Sequence, residues 1–249
     1  MGNLSYGQLI GAAAEMIRTG GRNFALTGAG VSTESGIPDF RSPGSGLWHR
    51  YDPMKVATLS AFRRDPASFY EINLERWETI MEAEPNAAHI ALARLEEMGL
   101  LTGLITQNID GLHARAGSRS LFEIHGHLRT CRCTGCGGHL DFSRLTDQYK
   151  TGINPPQCEC GGVLRPDVVL FEDQMSPDFF RATQALAGCR VLIVAGTSLQ
   201  VYPAAGLLES ARQVIIINRE PTPGDDQADV VIHGPAGQVL SDLVTALAG

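Results

Sequence analysis

No run of about 18 to 20 uninterrupted apolar residues occurs in the 249-residue chain, so no segment reads as a membrane-spanning helix. No basic n-region precedes an apolar stretch in MGNLSYGQLIGAAAEMIRTG, and these residues are expected to form neither a secretory signal nor a span. The sixth position lacks the Ser or Thr that a myristoylation signal carries. Positive charge is scarce: 20 Lys+Arg against 27 Asp+Glu leave a net charge of -7. That balance argues against a dedicated nucleic-acid surface or an anionic-membrane binder, and a basic partner is easier to accommodate. Aromatics are only 6%, but 43% hydrophobic and 19% charged residues, with 28 Gly and 13 Pro, are ordinary for a globular protein. Disorder, collagen-like structure and coiled coil are excluded. No internal repeat or long terminal extension stands out, and the expectation is a cytoplasmic monomer.

Cysteine is also sparse, and unevenly placed. Five of six fall between Cys131 and Cys160, a clustering that suggests metal before disulfides in a reducing compartment. Cys133-Thr134-Gly135-Cys136 and Cys158-Glu159-Cys160 each precede a glycine. Two thiolate pairs on glycine turns suit tetrahedral zinc, and a closed four-cysteine site is structural because no position is left for water. The expected ligands are Cys133, Cys136, Cys158 and Cys160, with Cys131 as a competing fifth thiol.

Hydrophobic period and punctuation give the organisation. Residues 4–19 read as a helix ended by Gly20-Gly21, followed by a buried strand, Asn23–Thr27, that runs into Gly28-Ala29-Gly30 and a helix. Pro38–Tyr51 reads as a long loop. Asp65-Pro66 starts a helix to about Glu82, and Asn86 caps another that ends near Gly99. Leu101–Thr106, Leu121–Ile124 and Val168–Phe171 read as short buried strands. The C-terminal part alternates: helix Pro177–Ala187, strand Arg190–Ala195, helix Pro203–Arg212, strands Gln213–Asn218 and Asp229–His233, and helix Pro235–Ala248. Alternating helices and continuous apolar strands imply an α/β fold, a parallel sheet covered on both faces. Residues 128–165 interrupt that rhythm as a small insert.

Chemistry collects where these strands end. Gly28-x-Gly30 is the kind of turn that lets backbone amides approach a diphosphate, although Thr33 stands where a third fingerprint glycine would be. Gly196-Thr197-Ser198 and Asn218-Arg219-Glu220 end two further strands, and open α/β sheets bind ligands at such carboxyl ends. Gln107-Asn108-Ile109-Asp110 follows another strand, either as a helix cap or as a polar cluster in a site. His125, at a strand end beside Gly126, is the best general-base candidate because an unperturbed imidazole titrates near neutrality.

Thr27-Gly28-Ala29-Gly30-Val31-Ser32, Gly36-Ile37-Pro38-Asp39-Phe40-Arg41, Thr106-Gln107-Asn108-Ile109-Asp110-x-Leu112-His113, His125-Gly126, the cysteine pairs, Gly196-Thr197-Ser198-Leu199 and Val201-x-Pro203-Ala204 occur in this order. Over about residues 10–245 the set resembles the sirtuin family of NAD-dependent protein lysine deacylases. The resemblance implies a Rossmann-like domain (1–36 with 85–127 and 166–249), a cofactor loop and helical insert (37–84), and a zinc ribbon (128–165). A cleft between them would take NAD as co-substrate and an acyl-lysine protein or peptide.

The chemistry the resemblance implies is attack of the acyl-lysine amide oxygen on C1′ of the nicotinamide ribose, loss of nicotinamide, and transfer of the acyl group to ADP-ribose. By the same resemblance His125 is the base that activates a ribose hydroxyl. Asn108 and Gln107 hold that ribose and a nearby water, and Asp110 with the Ile109 backbone binds the carboxamide. Phe40 covers the reaction centre, and Asp39 and Arg41 lie on the mobile loop, Arg41 beside the diphosphate. Gly28, Ala29, Gly30, Ser32, Gly196, Thr197, Ser198, Asn218 and Glu220 match nucleotide-binding positions. Val168, Val169, Leu170 and Phe171 match the strand that pairs with an extended peptide. The family usually continues Phe-Gly-Glu, whereas this chain has Phe171-Glu172-Asp173. Desuccinylating members carry Tyr-x-x-Arg in the insert. Here Tyr70-Glu71-Ile72-Asn73 lacks the arginine, so a neutral acyl group is expected. The competing readings are mono-ADP-ribosyl transfer to protein and a non-catalytic NAD sensor.

Overall fold

A computed structural model describes residues 4–19, 21–41, 46–47 and 51–249. Gly20 and part of the loop expected over 38–51 lie outside the described residues. Ser5 opens the first helix, Tyr6–Arg18 (α1), through a capping box with Gln8. Asn23–Thr27 (β1) is buried along its whole length. The helix expected after Gly30 is instead a 3-10 helix, Ala29–Ser35, closed by Gly36 in the left-handed conformation. The expected loop and insert contain two short helices that hydrophobic period alone missed, Pro53–Val56 (α2) and Leu59–Arg64 (α3), N-capped by Asp52 and Thr58. Pro66–Glu82 (α4) starts at Asp65 as expected, and Asn86 caps Ala87–Glu97 (α5).

Gly103–Thr106 (β2), the short helix Leu112–Arg115 (α6) and Leu121–Glu123 (β3) follow. The cysteine segment holds Gly126–Cys133 (β4), His139–Asp141 (β5), Phe142–Lys150 (α7) and Leu164–Val168 (β6). Pro177–Ala185 (α8), Val191–Ala195 (β7), Gln213–Asn218 (β8), Val230–His233 (β9) and Ala236–Ala248 (α9) complete the chain. The helix expected over Pro203–Arg212 is a 3-10 helix, Ala204–Ser210, in keeping with its brevity and the i→i+3 bond from Gly206 N to Pro203 O.

Six strands form one parallel sheet in the order β3-β2-β1-β7-β8-β9. Strand order reverses between β1 and β7, which opens a crevice at their carboxyl ends. α1, α5 and α9 pack one face with Ile17, Leu92 and Leu240 against Ile193 and Ile215. α8 and the 204–210 turn cover the other, where Phe24, Leu192 and Ile216 meet Leu186 and Leu207.

The strand expected over Val168–Phe171 does not join this sheet. Val168 ends β6, which pairs antiparallel with β4 in a separate three-stranded sheet, β5-β4-β6, and residues beyond it leave the strand. Apolar composition marks burial without saying in which sheet. This small sheet shares a core with α3, α4 and α7: Phe69, Tyr70 and Trp77 pack with Phe142, and the Tyr70 hydroxyl donates to Leu164 O. Among the described residues no helix is long and apolar enough to cross a membrane.

Candidate functional site

Two glycine turns meet at the switch point. Gly28 N donates to Ala195 O at 3.2 Å and Gly30 N to Gly196 O at 2.8 Å. A Cβ on Gly30 would lie 2.7 Å from Gly196 O, and Gly196 is itself left-handed at φ +58. The sequence thus needs glycine here because two main chains touch. Their amides border a cleft of about 1280 Å³, above the roughly 300–1,000 Å³ of a drug-sized pocket and roomy enough for a dinucleotide with a second ligand.

Strand β2 delivers the polar cluster to the same place. Gln107 Nε2 donates to Thr197 Oγ1 at 3.0 Å, tying two strand ends together. Asn108 is buried, and its Nδ2 donates to Gly28 O and to Ser32 Oγ, each at 3.1 Å. Ser32 Oγ in turn donates to Asp110 Oδ2 at 2.7 Å. Asp110 also accepts from Leu112 N at 2.9 Å, so the cap reading and the site reading hold together. Burial raises the Asp110 carboxyl above its ordinary value despite these bonds.

Two histidines stand behind this cluster: His89, which sequence reasoning passed over, and His113, which it read only as the end of the Thr106–His113 motif. Asn86 N donates to His89 Nδ1 at 3.2 Å, which leaves the proton on Nε2, 3.4 Å from Ser32 Oγ. His113 Nε2 lies 2.9 Å from Thr27 Oγ1, and the two rings are 4.7 Å apart. Burial drives His89 down to about 4 and His113 well below its ordinary value. The signal for His89 was present: Asn86-x-x-His89 is a capping-box spacing.

His125 follows β3, and its Nδ1 lies 3.0 Å from Gln107 O. A carbonyl only accepts, so Nδ1 carries the proton and Nε2 is the basic nitrogen. Burial lowers the pKa, partly offset by that bond, so the ring is neutral at pH 7. Val169 N donates to His125 O at 2.8 Å, placing residues 168–171 beside it. His125, Asn108, Ile109, Asp110, Gly28, Ala29, Gly30, Ser32, Asp39, Phe40, Arg41, Gln107, Gly196, Thr197, Ser198, Asn218, Glu220 and Val168–Phe171 all line the one cleft. Arg76 lines it too, and was missed. Its Nη2 donates to Asn73 Oδ1 at 3.1 Å, while Nε is buried and has no partner among the described residues.

The cysteine cluster lies apart from the cleft lining. The Sγ atoms of Cys133, Cys136, Cys158 and Cys160 lie within 4.8 Å of one another, with Cys133–Cys160 at 3.4 Å and Cys136–Cys158 at 3.8 Å. Four sulfurs about 2.3 Å from one tetrahedral zinc are separated by about 3.8 Å, so the donor set fits. Gly135 N and Cys136 N point at Cys133 Sγ at 3.3 and 3.4 Å, which favours the thiolate. A Cβ on Gly162 would fall 2.6 Å from that sulfur. Cys131 is outside the cluster: it is fully buried, its Sγ donates to Asp141 O, and burial pushes its thiol up to about 11.

A parallel sheet with this strand order and a glycine-turn cleft at its switch point defines a Rossmann-type dinucleotide-binding protein. The chain belongs to the Sir2 family, whose model matches residues 28–203. It is 47% identical over 240 residues to the NAD-dependent protein deacetylase of Caldivirga maquilingensis, covering 94% of this chain and 92% of that one. It is 44% identical over 236 residues to NAD-dependent protein deacetylase 2 of Caldanaerobacter subterraneus subsp. tengcongensis, covering 94% of each. Among solved structures, a Sir2 homologue–NAD complex superposes with a TM-score of 0.83 at 40% identity, covering 95% of this chain and 93% of that one. A Sir2–p53 peptide–NAD+ complex superposes at 0.86 with 32% identity, covering 94% and 96%.

Proposed function

We propose that the chain is an NAD-dependent protein lysine deacylase that transfers the acyl group of a modified lysine to ADP-ribose and releases nicotinamide. The single observation that carries this reading is His125: a neutral imidazole, its tautomer fixed by Gln107 O, in the cleft with Asn108. An NAD sensor has no use for such a base.

Each group then has a task. Ribose C1′ gains oxocarbenium character as nicotinamide departs, so shielding and positioned polar groups matter more than a protein nucleophile. Asn108 and Gln107 hold the ribose, and Asp110 with the Ile109 backbone takes the carboxamide. Nε2 of His125 accepts the proton of the ribose hydroxyl that resolves the intermediate. The turns at 28–32 and 196–198 receive the diphosphate with Arg41 beside it, Phe40 covers the reaction centre, and Asp39, Asn218 and Glu220 complete the nucleotide site. The edge Val168–Phe171 pairs with the peptide main chain. Cys133, Cys136, Cys158 and Cys160 would hold a structural zinc, since four thiolates would leave no position for water.

A neutral acyl group remains the proposed cargo. The division into a nucleotide domain (1–36, 85–127, 166–249), an insert (37–84) and a ribbon (128–165), and a cytoplasmic monomer without dedicated nucleic-acid binding, complete the reading. Its test is mass spectrometry of an acetyl-lysine peptide with and without NAD, comparing wild type with His125→Ala. NAD-dependent deacetylation with O-acyl-ADP-ribose, lost in the variant, is expected. Labelled protein without deacylation would replace this reading with ADP-ribosyl transfer, and absence of nicotinamide release with an NAD sensor.

A further inference from the structure

Glu172 has φ +73, one of two non-glycine residues in the left-handed region among those described. This is the position where the sequence departs from the Phe-Gly-Glu pattern, and the geometry explains why glycine suits it. A glutamate here accepts backbone strain, so its side chain should return something. The carboxylate accepts from Ser60 N at 2.8 Å and from Ser60 Oγ at 3.0 Å. Ser60 lies in the first turn of α3, whose backbone N–H groups lack intrahelical acceptors.

The neighbouring bonds show what this contact aligns. Leu59 N donates to Phe171 O at 3.0 Å and Phe171 N to Ala57 O at 2.9 Å, so residues 57–59 run alongside the 168–172 edge. From the other side, Asp173 Oδ2 accepts from Leu170 N at 2.8 Å and pairs with Arg165. Arg165 lies over the ring of Phe62, also on α3, 5.7 Å from its centroid. The edge is thus fastened at both ends: Asp173 ties it to β6, and Glu172 ties it to α3.

Glu172 is exposed and lines the cleft. Exposed charge-assisted bonds add little to global stability, whereas two of them from one side chain fix local direction. We propose that Glu172 is a positioning residue for the peptide substrate, holding the 168–172 edge against α3 before the peptide arrives. Preorganisation of this kind lowers the ordering cost at binding and therefore acts on the peptide, not on NAD. The inference rests on the reading of Val168–Phe171 as the peptide edge.

Steady-state kinetics on the full chain test it, with wild type, Glu172→Gly, Glu172→Gln and Ser60→Ala assayed on an acetyl-lysine peptide and NAD. Glu172→Gly, which relieves strain and removes the carboxylate, is expected to raise peptide KM by about three- to tenfold while changing kcat and the KM for NAD by less than about twofold. Glu172→Gln keeps the acceptor and recovers most of the loss, and Ser60→Ala, which retains its N–H, falls between. An unchanged peptide KM in an active Glu172→Gly variant overturns the inference alone. So does a parallel loss for both substrates together with a lowered Tm, the mark of a purely structural role. Absence of turnover by wild type refutes the functional reading, and the role of Glu172 with it.

Discussion

Acid should unfold this protein through His89, a histidine other than the proposed general base. His89 is fully buried. It is the N3 residue of the α5 capping box, and its Nδ1 must stay unprotonated to accept from Asn86 N. Burial lowers its pKa from 6.5 to about 4. A folded-state pKa below the unfolded value means that the unfolded chain binds the proton first, so stability is lost as pH falls from about 6.5 toward 4. With those two values the loss between pH 7 and pH 5 is about 2 kcal/mol from this residue alone. At about 2–4 °C per kcal/mol for a chain of this size, that is a Tm change of about 4–8 °C. His113 and His125, also lowered by burial, act in the same direction. Asp110, raised by burial, opposes them by taking up a proton more readily when folded. A paired comparison isolates His89: urea unfolding of wild type and His89→Gln at pH 7 and pH 5. Glutamine keeps an acceptor at N3 without titrating, so the variant should lose about 2 kcal/mol less than wild type on acidification. Equal losses in the two proteins would refute the reasoning.

Removing the metal, or Cys136→Ser, should abolish bound zinc and lower Tm by well over about 10 °C, since metal binding in such clusters is folding free energy. Cys131→Ala should retain zinc and cost about 1–3 kcal/mol as a buried truncation; loss of zinc on elemental analysis of that variant would show the ligand set to be wrong. Gly30→Ala drives a Cβ to 2.7 Å from Gly196 O and should cost about 1–3 kcal/mol by overpacking while raising the KM for NAD at least about tenfold; wild-type NAD affinity would contradict the diphosphate assignment. Acetyl-lysine peptide should exceed succinyl-lysine peptide in kcat/KM. A preference for succinyl that disappears in Arg76→Gln would mean that the guanidinium beside Asn73 Oδ1 sets acyl choice, and the neutral-acyl reading would fall.

The parallel sheet was legible because β1, β7 and β8 have continuous apolar centres, β1 and β7 between glycine turns, as a strand covered on both sides requires. Val168–Phe171 shows the limit of that signal: equally apolar, it terminates the small sheet instead of joining the large one. The 3-10 helices 29–35 and 204–210 read as α-helices because both share the same apolar spacing over so few residues. α2 and α3 carried cap signals at Asp52 and Thr58 that a search for long periods steps over. In the site, Gln107, Asn108, His125, Thr197 and Asn218 were visible as strand-end polar groups, whereas Arg76, on α4, gave no such signal. The support behind those groups was not visible, because Ser32 with His89 and Gln107 with Thr197 are separated by 57 and 90 positions, and no local pattern links residues so far apart.

The core shared by α3, α4, α7 and the small sheet also sets a timetable. Phe69, Tyr70 and Trp77 leave the ribosome well before Phe142 and Leu164, the residues that cover them. At roughly 5–20 residues per second during synthesis, this aromatic face waits several seconds for its counterpart. β1 waits longer still for β7. The half-made chain therefore displays its stickiest surface before it can close it, and faster elongation between Trp77 and Leu164, which shortens that interval, or added chaperone, which shields the surface while it lasts, should improve soluble yield more than any change at the cleft.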